Sequence, residues 1–179
     1  MRRRLFMTAS AAGAASVVLI AGATPALAQQ LVWEDIYGSE GRYRLKMPKG
    51  YRYLRVPGHG ATVHSYSFVM PDKVTLELLD VTLATPHEMP AGAALTSALE
   101  QAQAGMMKSW PGATVLEQQQ ITTGPLTGRD FTLAAAGDRF VRARLYMTRA
   151  AIYTQVAQGP ASERGAAMVA EFFNSLAFA

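Results

Sequence analysis

Residues 128–157 read GRDFTLAAAGDRFVRARLYMTRAAIYTQVA, and this stretch decides the fold class. Gly128–Ala135 and Arg139–Thr148 are strand-like segments joined through Gly137-Asp138, a pair that is typical of a tight hairpin turn. Ala151–Ala157 is a third strand-like segment after another short connection. Short connections join antiparallel neighbours, so the stretch predicts a three-stranded antiparallel meander.

The chain on the amino-terminal side of this meander contains more segments of the same kind. In residues 43–47, Tyr, Leu and Met alternate with Arg and Lys, which is the period of a half-buried strand. Turns rich in glycine and proline end most of these segments. The further predicted strands are Leu31–Tyr37, residues 43–47, Tyr51–Val56, Ala61–Met70, Lys73–Leu83 and Thr114–Thr122.

Two segments have the apolar spacing of amphipathic helices. Ala93 to about Trp110 places Leu95, Leu99 and Met106 on one face, and a last helix is predicted to open at Gly159-Pro160. Hairpin connections dominate the order, and each striped helix must cover a sheet face. We therefore expect an α+β protein, with an antiparallel β-sheet packed against two main helices. The βαβαβ alternation of a doubly wound nucleotide-binding fold is absent.

Residues 1–28 have the three parts of a cleavable signal peptide. Arg2–Arg4 form a charged start, an apolar run rich in Ala and Gly covers about residues 11–23, and the segment ends Ala26-Leu27-Ala28. Small residues at these positions fit signal peptidase, so we expect cleavage after Ala28. A retained membrane anchor is the rival interpretation, but the run is short and weakly apolar for a bilayer core of about 30 Å. Residues 29–179 then form a single α+β domain with no membrane span.

The export route stays open between two possibilities. Arg3-Arg4-Leu5-Phe6-Met7 is similar to a twin-arginine signal, in which an arginine pair precedes a spacer and apolar residues. An ordinary general-secretion signal with three arginines explains the same residues.

Composition excludes several partners and chemistries. Three units of the net charge of +4 come from Arg2–Arg4, which leaves +1 for residues 29–179. A nucleic-acid partner usually needs a concentrated basic face, and we expect none. The sequence contains no cysteine, so disulfides, thiolate metal sites and cysteine nucleophiles are excluded. A lipid anchor on a cysteine at the cleavage site is excluded for the same reason. We expect a periplasmic or secreted protein that is not lipid-anchored.

Arginine and tyrosine are enriched in residues 42–55, and arginine recurs on the later strand 139–148. Both residue types are favoured where proteins bind partners, and arginine suits a carboxylate or phosphate. The candidate binding residues are Arg42, Arg44, Arg52, Arg55, Arg142 and Arg144. The alternative is simpler: alternation buries the tyrosines and leaves the arginines in solvent, as on any half-exposed sheet.

No strong catalytic or metal-binding motif is present. His59, His64 and His87 lack the spacing of metal ligands. There is no Gly-x-Ser-x-Gly sequence for a nucleophilic serine. The acidic residues are spread thinly, and we expect turn or solvated positions for Asp35, Glu77, Asp80 and Asp130. We therefore name no catalytic residue, no metal ligand and no cofactor.

Several segments together resemble the PsbP-like (PsbP/Mog-type) fold family, especially its small exported bacterial members of the DcrB kind. They are Tyr43-Arg-Leu-Lys-Met-Pro-Lys-Gly-Tyr51, Gly128-Arg-Asp-Phe131, Arg142-Ala-Arg-Leu-Tyr146, Tyr153 and Phe172-Phe-Asn-Ser-Leu176. The similarity covers about residues 31–178, and its motifs are structural, so it supports a fold more than a function.

The resemblance implies an α/β/α sandwich that serves as an accessory or binding module. Family members assist photosystem assembly, bind a small GTPase or lie in bacterial envelopes, and most are not enzymes. No binding residues can be carried over, and this chain lacks the amino-terminal cysteine of the many lipoprotein members. We expect a non-catalytic exported accessory protein that binds an envelope protein or a small anionic ligand. The alternative is a small exported hydrolase-like enzyme with an unrecognised active site.

Overall fold

A computed structural model describes residues 31–38 and 41–179. The predicted signal peptide, with its cleavage site after Ala28, lies outside the described residues. The described strands are β1 Trp33–Tyr37, β2 Tyr43–Pro48, β3 Arg52–Pro57, β4 Ala61–Val69, β5 Thr75–Leu83, β6 Thr114–Thr123, β7 Leu126–Ala135, β8 Arg139–Met147, β9 Ala151–Pro160 and β10 Ala177–Phe178. The described α-helices are α1 Ala93–Met107 and α2 Ala167–Asn174.

Seven strands form one antiparallel sheet in the order β3-β4-β5-β9-β8-β7-β6. The predicted meander is its β7-β8-β9 part, in which Phe131 pairs with Ala143 and Ala143 with Val156. The strands β3 and β6 are the two edges of this sheet.

The helix α1 covers one face of the large sheet. Leu99 packs there against the alternate residues of β7, β8 and β9, including Phe131 and Leu145. Because successive side chains of a strand point to opposite faces, Tyr146 and Tyr153 face the other side. The stripe predicted for the central helix is confirmed by the burial of Leu99.

The other face of the large sheet carries the larger core. Val169, Phe172 and Phe173 of α2 pack there together with Tyr43 and Leu45 of β2. The strand β2 belongs to a separate three-stranded sheet of order β1-β2-β10. Burying one large apolar side chain stabilises the fold by about 1.5–3 kcal/mol, so this packing anchors α2 and the small sheet.

The antiparallel sheet and its two helices are confirmed, but the chain is richer in strand than the predicted α/β/α sandwich. The additional strands form the second sheet, which packs on the same face of the large sheet as α2. This sheet joins distant parts of the chain, since Phe178 of β10 pairs with Tyr43 of β2. The predicted start of the last helix is wrong. Pro160 ends β9, a short 3-10 turn follows at Ala161–Glu163, and α2 begins only at Ala167.

No helix in the described part of the chain is long and apolar enough to cross a membrane.

Candidate binding site

An open cleft of about 430 Å³ lies between β1, β3 and β4. We call it the tyrosine cleft. Its lining residues are Asp35, Ile36, Tyr37, Tyr51, Tyr53 and Tyr66. Tyrosine combines a large contact area with a hydroxyl that can donate or accept, which suits a surface that binds a partner.

Strand pairing positions the tyrosines of this cleft. Tyr53 of β3 lies opposite Tyr66 of β4, and their ring centroids are 4.9 Å apart. Tyr51, just before β3, also packs against Tyr66, with ring centroids 5.9 Å apart. Tyr66 is buried, whereas Tyr53 is 50% exposed and Tyr37 is 65% exposed. The cleft therefore has a fixed aromatic floor and two aromatic side chains open to solvent.

A histidine holds one of the open tyrosines in place. The Tyr53 hydroxyl and Nδ1 of His64 lie 2.8 Å apart and share a hydrogen bond, and the two rings are stacked. Arg55 lies opposite His64 in the strand register, on the same face of β3 as Tyr53. This end of the cleft is therefore polar, and Arg55 lies two residues beyond Tyr53 on the same strand face.

Two buried tyrosines lie at and below the floor of the cleft: Tyr66, which lines it, and Tyr43 of β2. Burial raises the pKa of Tyr66 above its ordinary value, and it raises the pKa of Tyr43 further still. Both hydroxyls therefore keep their protons at neutral pH. Tyr66 therefore forms part of the cleft floor as a neutral phenol.

Four of the six candidate arginines belong to two neighbouring segments of the chain. Arg42 precedes β2, Arg44 lies on β2, and Arg52 and Arg55 lie on β3. Arg44 is exposed and lies opposite Tyr37 in the pairing of β1 with β2. Arg55 shares a face of β3 with Tyr53, while Arg52 points to the opposite face of the same strand. Arg42 instead lines a separate cavity with Leu126 and Phe178. Arg55 therefore shares a strand face with the cleft residue Tyr53, whereas Arg44 lines a separate cavity with Asp35 and Glu171.

Arg142 and Arg144 are brought together elsewhere, beneath α2. Arg142 donates from Nε to one oxygen of Asp130 at 3.1 Å and from a terminal nitrogen to the other at 2.7 Å. Arg144 donates from Nε to Asp130 at 2.7 Å and from a terminal nitrogen to the carbonyl of Phe173 at 2.7 Å. Both guanidinium groups also lie over the Phe173 ring, at 4.5 and 5.2 Å. This cluster ties the sheet to the end of α2.

The environment of Asp130 keeps it ionised. Burial alone raises its pKa, but the hydrogen bonds from Arg142 and Arg144 outweigh that effect and hold the pKa below its ordinary value. The expectation that Asp130 and Asp80 are solvated is therefore wrong, since they are 3% and 1% exposed. The alternation of residues in the sequence places Arg142 and Arg144 on the same face of their strand. It could not show that both would bind Asp130.

Within residues 31–38 and 41–179, no three His, Asp or Glu side chains converge in the manner of a metal site. His64 is committed to Tyr53, and the backbone nitrogen of His87 bonds to the carbonyl of Arg149 in a loop.

Sequence reasoning found part of the tyrosine cleft. The enrichment in residues 42–55 contains Tyr51 and Tyr53, but Tyr37 and Tyr66 lie outside it on other strands. Only the register of β3 with β4, and the approach of β1, bring these side chains together. No local signal in the sequence marks either residue.

Comparison of the sequence with protein-family models and with curated proteins gives no match. Solved structures do match the fold. Cyanobacterial PsbP (CyanoP) from Synechocystis sp. PCC 6803 is similar with a TM-score of 0.59 and 12% identity, over 82% of this chain and 92% of that one. LpqN of Mycobacterium tuberculosis, described as involved in cell envelope biogenesis, is similar with a TM-score of 0.52 and 16% identity, over 83% of this chain and 91% of that one. The chain therefore has a PsbP-like fold.

Proposed function

We propose that this chain is a non-catalytic accessory protein of the periplasm or the secreted fraction, which binds a partner at the tyrosine cleft. The observation that carries the proposal is the cleft itself, in which Tyr37 and Tyr53 stand half or more exposed over a packed aromatic floor. Exposed large aromatic side chains that converge on one concavity mark an interaction site more often than chance exposure does.

Two further observations support an exported accessory role. Residues 1–28 carry the composition of a signal peptide ending at Ala28. One protein with the same fold, LpqN, is described as acting in cell envelope biogenesis. The partner in this proposal is an envelope protein or a small anionic ligand, because Arg55 shares a face of β3 with Tyr53 and Arg44 is paired with Tyr37.

Capture of partners from an envelope extract tests the cleft. The bait is residues 29–179, and the test variant replaces Tyr37 and Tyr53 by serine. The matched control replaces Leu116, which is 47% exposed on the opposite edge strand β6, by serine. We expect the tyrosine variant to lose the partner that the wild type and the control retain. Its melting temperature should fall by no more than about 8 °C, because Tyr53 gives up its contacts with Tyr66 and His64. Equal capture by all three baits would refute the cleft as the binding site.

Export is tested by the mass of the protein recovered from cells that make the full chain. We expect a mature form that begins at Gln29 in the periplasm or medium. A full-length form that stays with the membrane would contradict the predicted cleavage after Ala28.

A further inference from the structure

Among the described strands, β3 is an edge of the large sheet, with β4 as its single neighbour, and it carries two arginines between apolar residues. All six of its residues are exposed, including Tyr53, Leu54 and Val56 at 50, 59 and 47%. An edge strand offers a row of free backbone N–H and C=O groups, onto which an extended segment of another chain can add as a new strand. We propose that β3 receives an extended acidic segment of the partner by strand addition.

The charge of the edge selects an acidic occupant. Among the described residues, neither Arg52 nor Arg55 takes part in an ion pair or a side-chain hydrogen bond. Two unneutralised guanidinium groups on a six-residue strand favour a partner that brings carboxylates. A second copy of this chain would instead bring four arginines into one short ladder, which opposes pairing of β3 with itself.

The other edge of the sheet lacks these properties. The strand β6 carries Glu117 and three glutamines, and its pairing with β7 is broken by a bulge between Val115 and Glu117. A bulge twists an edge away from regular pairing. Gln118 also accepts a hydrogen bond from Gln103 of α1. The pairing of β3 with β4 runs without a register shift.

The alternation of β3 defines the sequence of the segment that fits it. Arg52, Leu54 and Val56 share one face, while Tyr53 and Arg55 share the face of the tyrosine cleft. Directly opposite residues of an antiparallel ladder face the same side, so the added strand needs acids opposite Arg52 and Arg55 and apolar residues opposite the others. The two acids are thus separated by two residues, and the hexapeptide TVEVYE meets the pattern.

This inference deepens the proposed function and rests on it, because the added strand would lie along the rim of the tyrosine cleft. The two are nevertheless separable. A protein that captures its partner through Tyr37 and Tyr53 but ignores strand-forming peptides would refute strand addition alone.

The experiment measures binding of three labelled peptides to residues 29–179 by fluorescence anisotropy and by amide chemical shifts. TVEVYE is the probe, and TVKVYK reverses its charge. A third peptide is TVEVYE methylated on the backbone nitrogens of its third and fifth residues, which keeps the acids but removes the N–H groups that would point at Arg55 and Tyr53 of β3. We expect TVEVYE to bind, both control peptides to bind at least about tenfold more weakly, and the largest amide shifts to fall in residues 52–57. The double variant R52E/R55E should prefer TVKVYK over TVEVYE. A reversed preference would show that the variant is still folded and that the charge of β3 selects the peptide. The matched variant E117K on β6 should leave the preference unchanged.

Other results overturn the proposal. Equal binding of the N-methylated peptide, or of an anionic polysaccharide such as heparin, would indicate charge attraction without strand addition. Shifts confined to β6, dimerisation through β3 without peptide, or binding of none of the peptides would exclude this edge as the receiving strand.

Discussion

Replacing Asp130 with asparagine tests whether the ion cluster beneath α2 holds the sheet and helix together. The substitution preserves the shape of the side chain but removes the charge that faces Arg142 and Arg144. Asp130 accepts three hydrogen bonds from these two arginines at 2.7–3.1 Å. An amide has one acceptor oxygen, and its NH₂ group would point its hydrogens at guanidinium donors.

The expected loss follows from the burial of the three partners. Breaking a buried ion pair by removing one member costs about 3–5 kcal/mol. The arginine side chains keep 25 and 15% exposure, so water compensates part of that cost and the lower end applies. We expect Asp130→Asn to lower the free energy of unfolding by about 3 kcal/mol. For a domain of this size that corresponds to a fall in melting temperature of about 6–12 °C.

The assay is thermal unfolding of residues 29–179 at about pH 7, with Glu100→Gln as the matched control. Glu100 pairs with Arg129 at 3.4 Å, and the Glu100 side chain is 54% exposed. Arg129 is only 12% exposed, but it keeps its hydrogen bonds to Gln103 and Gln118 when Glu100 is replaced. Loss of such a surface pair costs about 0.5 kcal/mol or less, so the control should melt within about 2 °C of wild type. Equal melting temperatures for the two variants would refute the anchoring role of Asp130.

The pH dependence provides a second readout with a defined sign. The pKa of Asp130 is lower in the folded chain than its ordinary value of 3.8, so its stabilisation is fully present above that value. The stabilisation is lost as the pH falls through the folded pKa. The gap in stability between wild type and Asp130→Asn should therefore shrink on acidification below about pH 4. A gap that stays constant or widens would contradict the assigned charge state.

Three further predictions concern the packing around the sheet. A Cβ at Gly128 would approach Tyr146 to 2.5 Å and the carbonyl of Leu145 to 2.6 Å, so Gly128→Ala should destabilise by about 2–3 kcal/mol in urea unfolding. Gly105→Ala, in α1 with no described atom within 4 Å of the new Cβ, should instead raise the free energy of unfolding by about 0.5–1 kcal/mol. If Gly128→Ala and Gly105→Ala changed stability in the same direction, this reasoning would be wrong. Arg144→Met should cost about 2 kcal/mol, because it removes charged bonds to Asp130 and to the end of α2, and faster amide exchange in residues 172–174 should accompany it. Unchanged exchange there would show that α2 does not depend on Arg144.

The sequence was sufficient for the elements that local patterns specify. The meander followed from alternation and the Gly137-Asp138 turn, and the predicted strand Lys73–Leu83 has its alternate residues Val74, Leu76 and Leu78 fully buried. The three-stranded sheet could not be predicted in this way. Its last strand, Ala177–Phe178, has only two residues and pairs with β2, more than 130 residues earlier in the chain. Such a short segment has no periodicity of its own.

The candidate site was only partly predictable for a similar reason. The six arginines were grouped by residue type, but the fold separates Arg142 and Arg144 from the arginines of β2 and β3. A count of residue types cannot distinguish a solvated arginine from one that binds a buried acid. The distinction depends on Asp130, which lies on a neighbouring strand opposite Arg144. The predicted binding role of the six arginines stays a prediction, and the variants of β3 test it for Arg52 and Arg55.

Site-specific photo-crosslinking in the cell that makes the protein tests most directly whether β3 and the tyrosine cleft hold the partner. One variant carries p-benzoylphenylalanine in place of Leu54 on β3, and the other carries it in place of Leu116 on β6; both side chains are about half exposed. We expect a discrete adduct from position 54 that disappears when Tyr37 and Tyr53 are serine, and no such adduct from position 116. An adduct from position 116 alone would contradict the placement of the binding site on β3. An adduct from position 54 that persists without the two tyrosines would contradict the role of the tyrosine cleft.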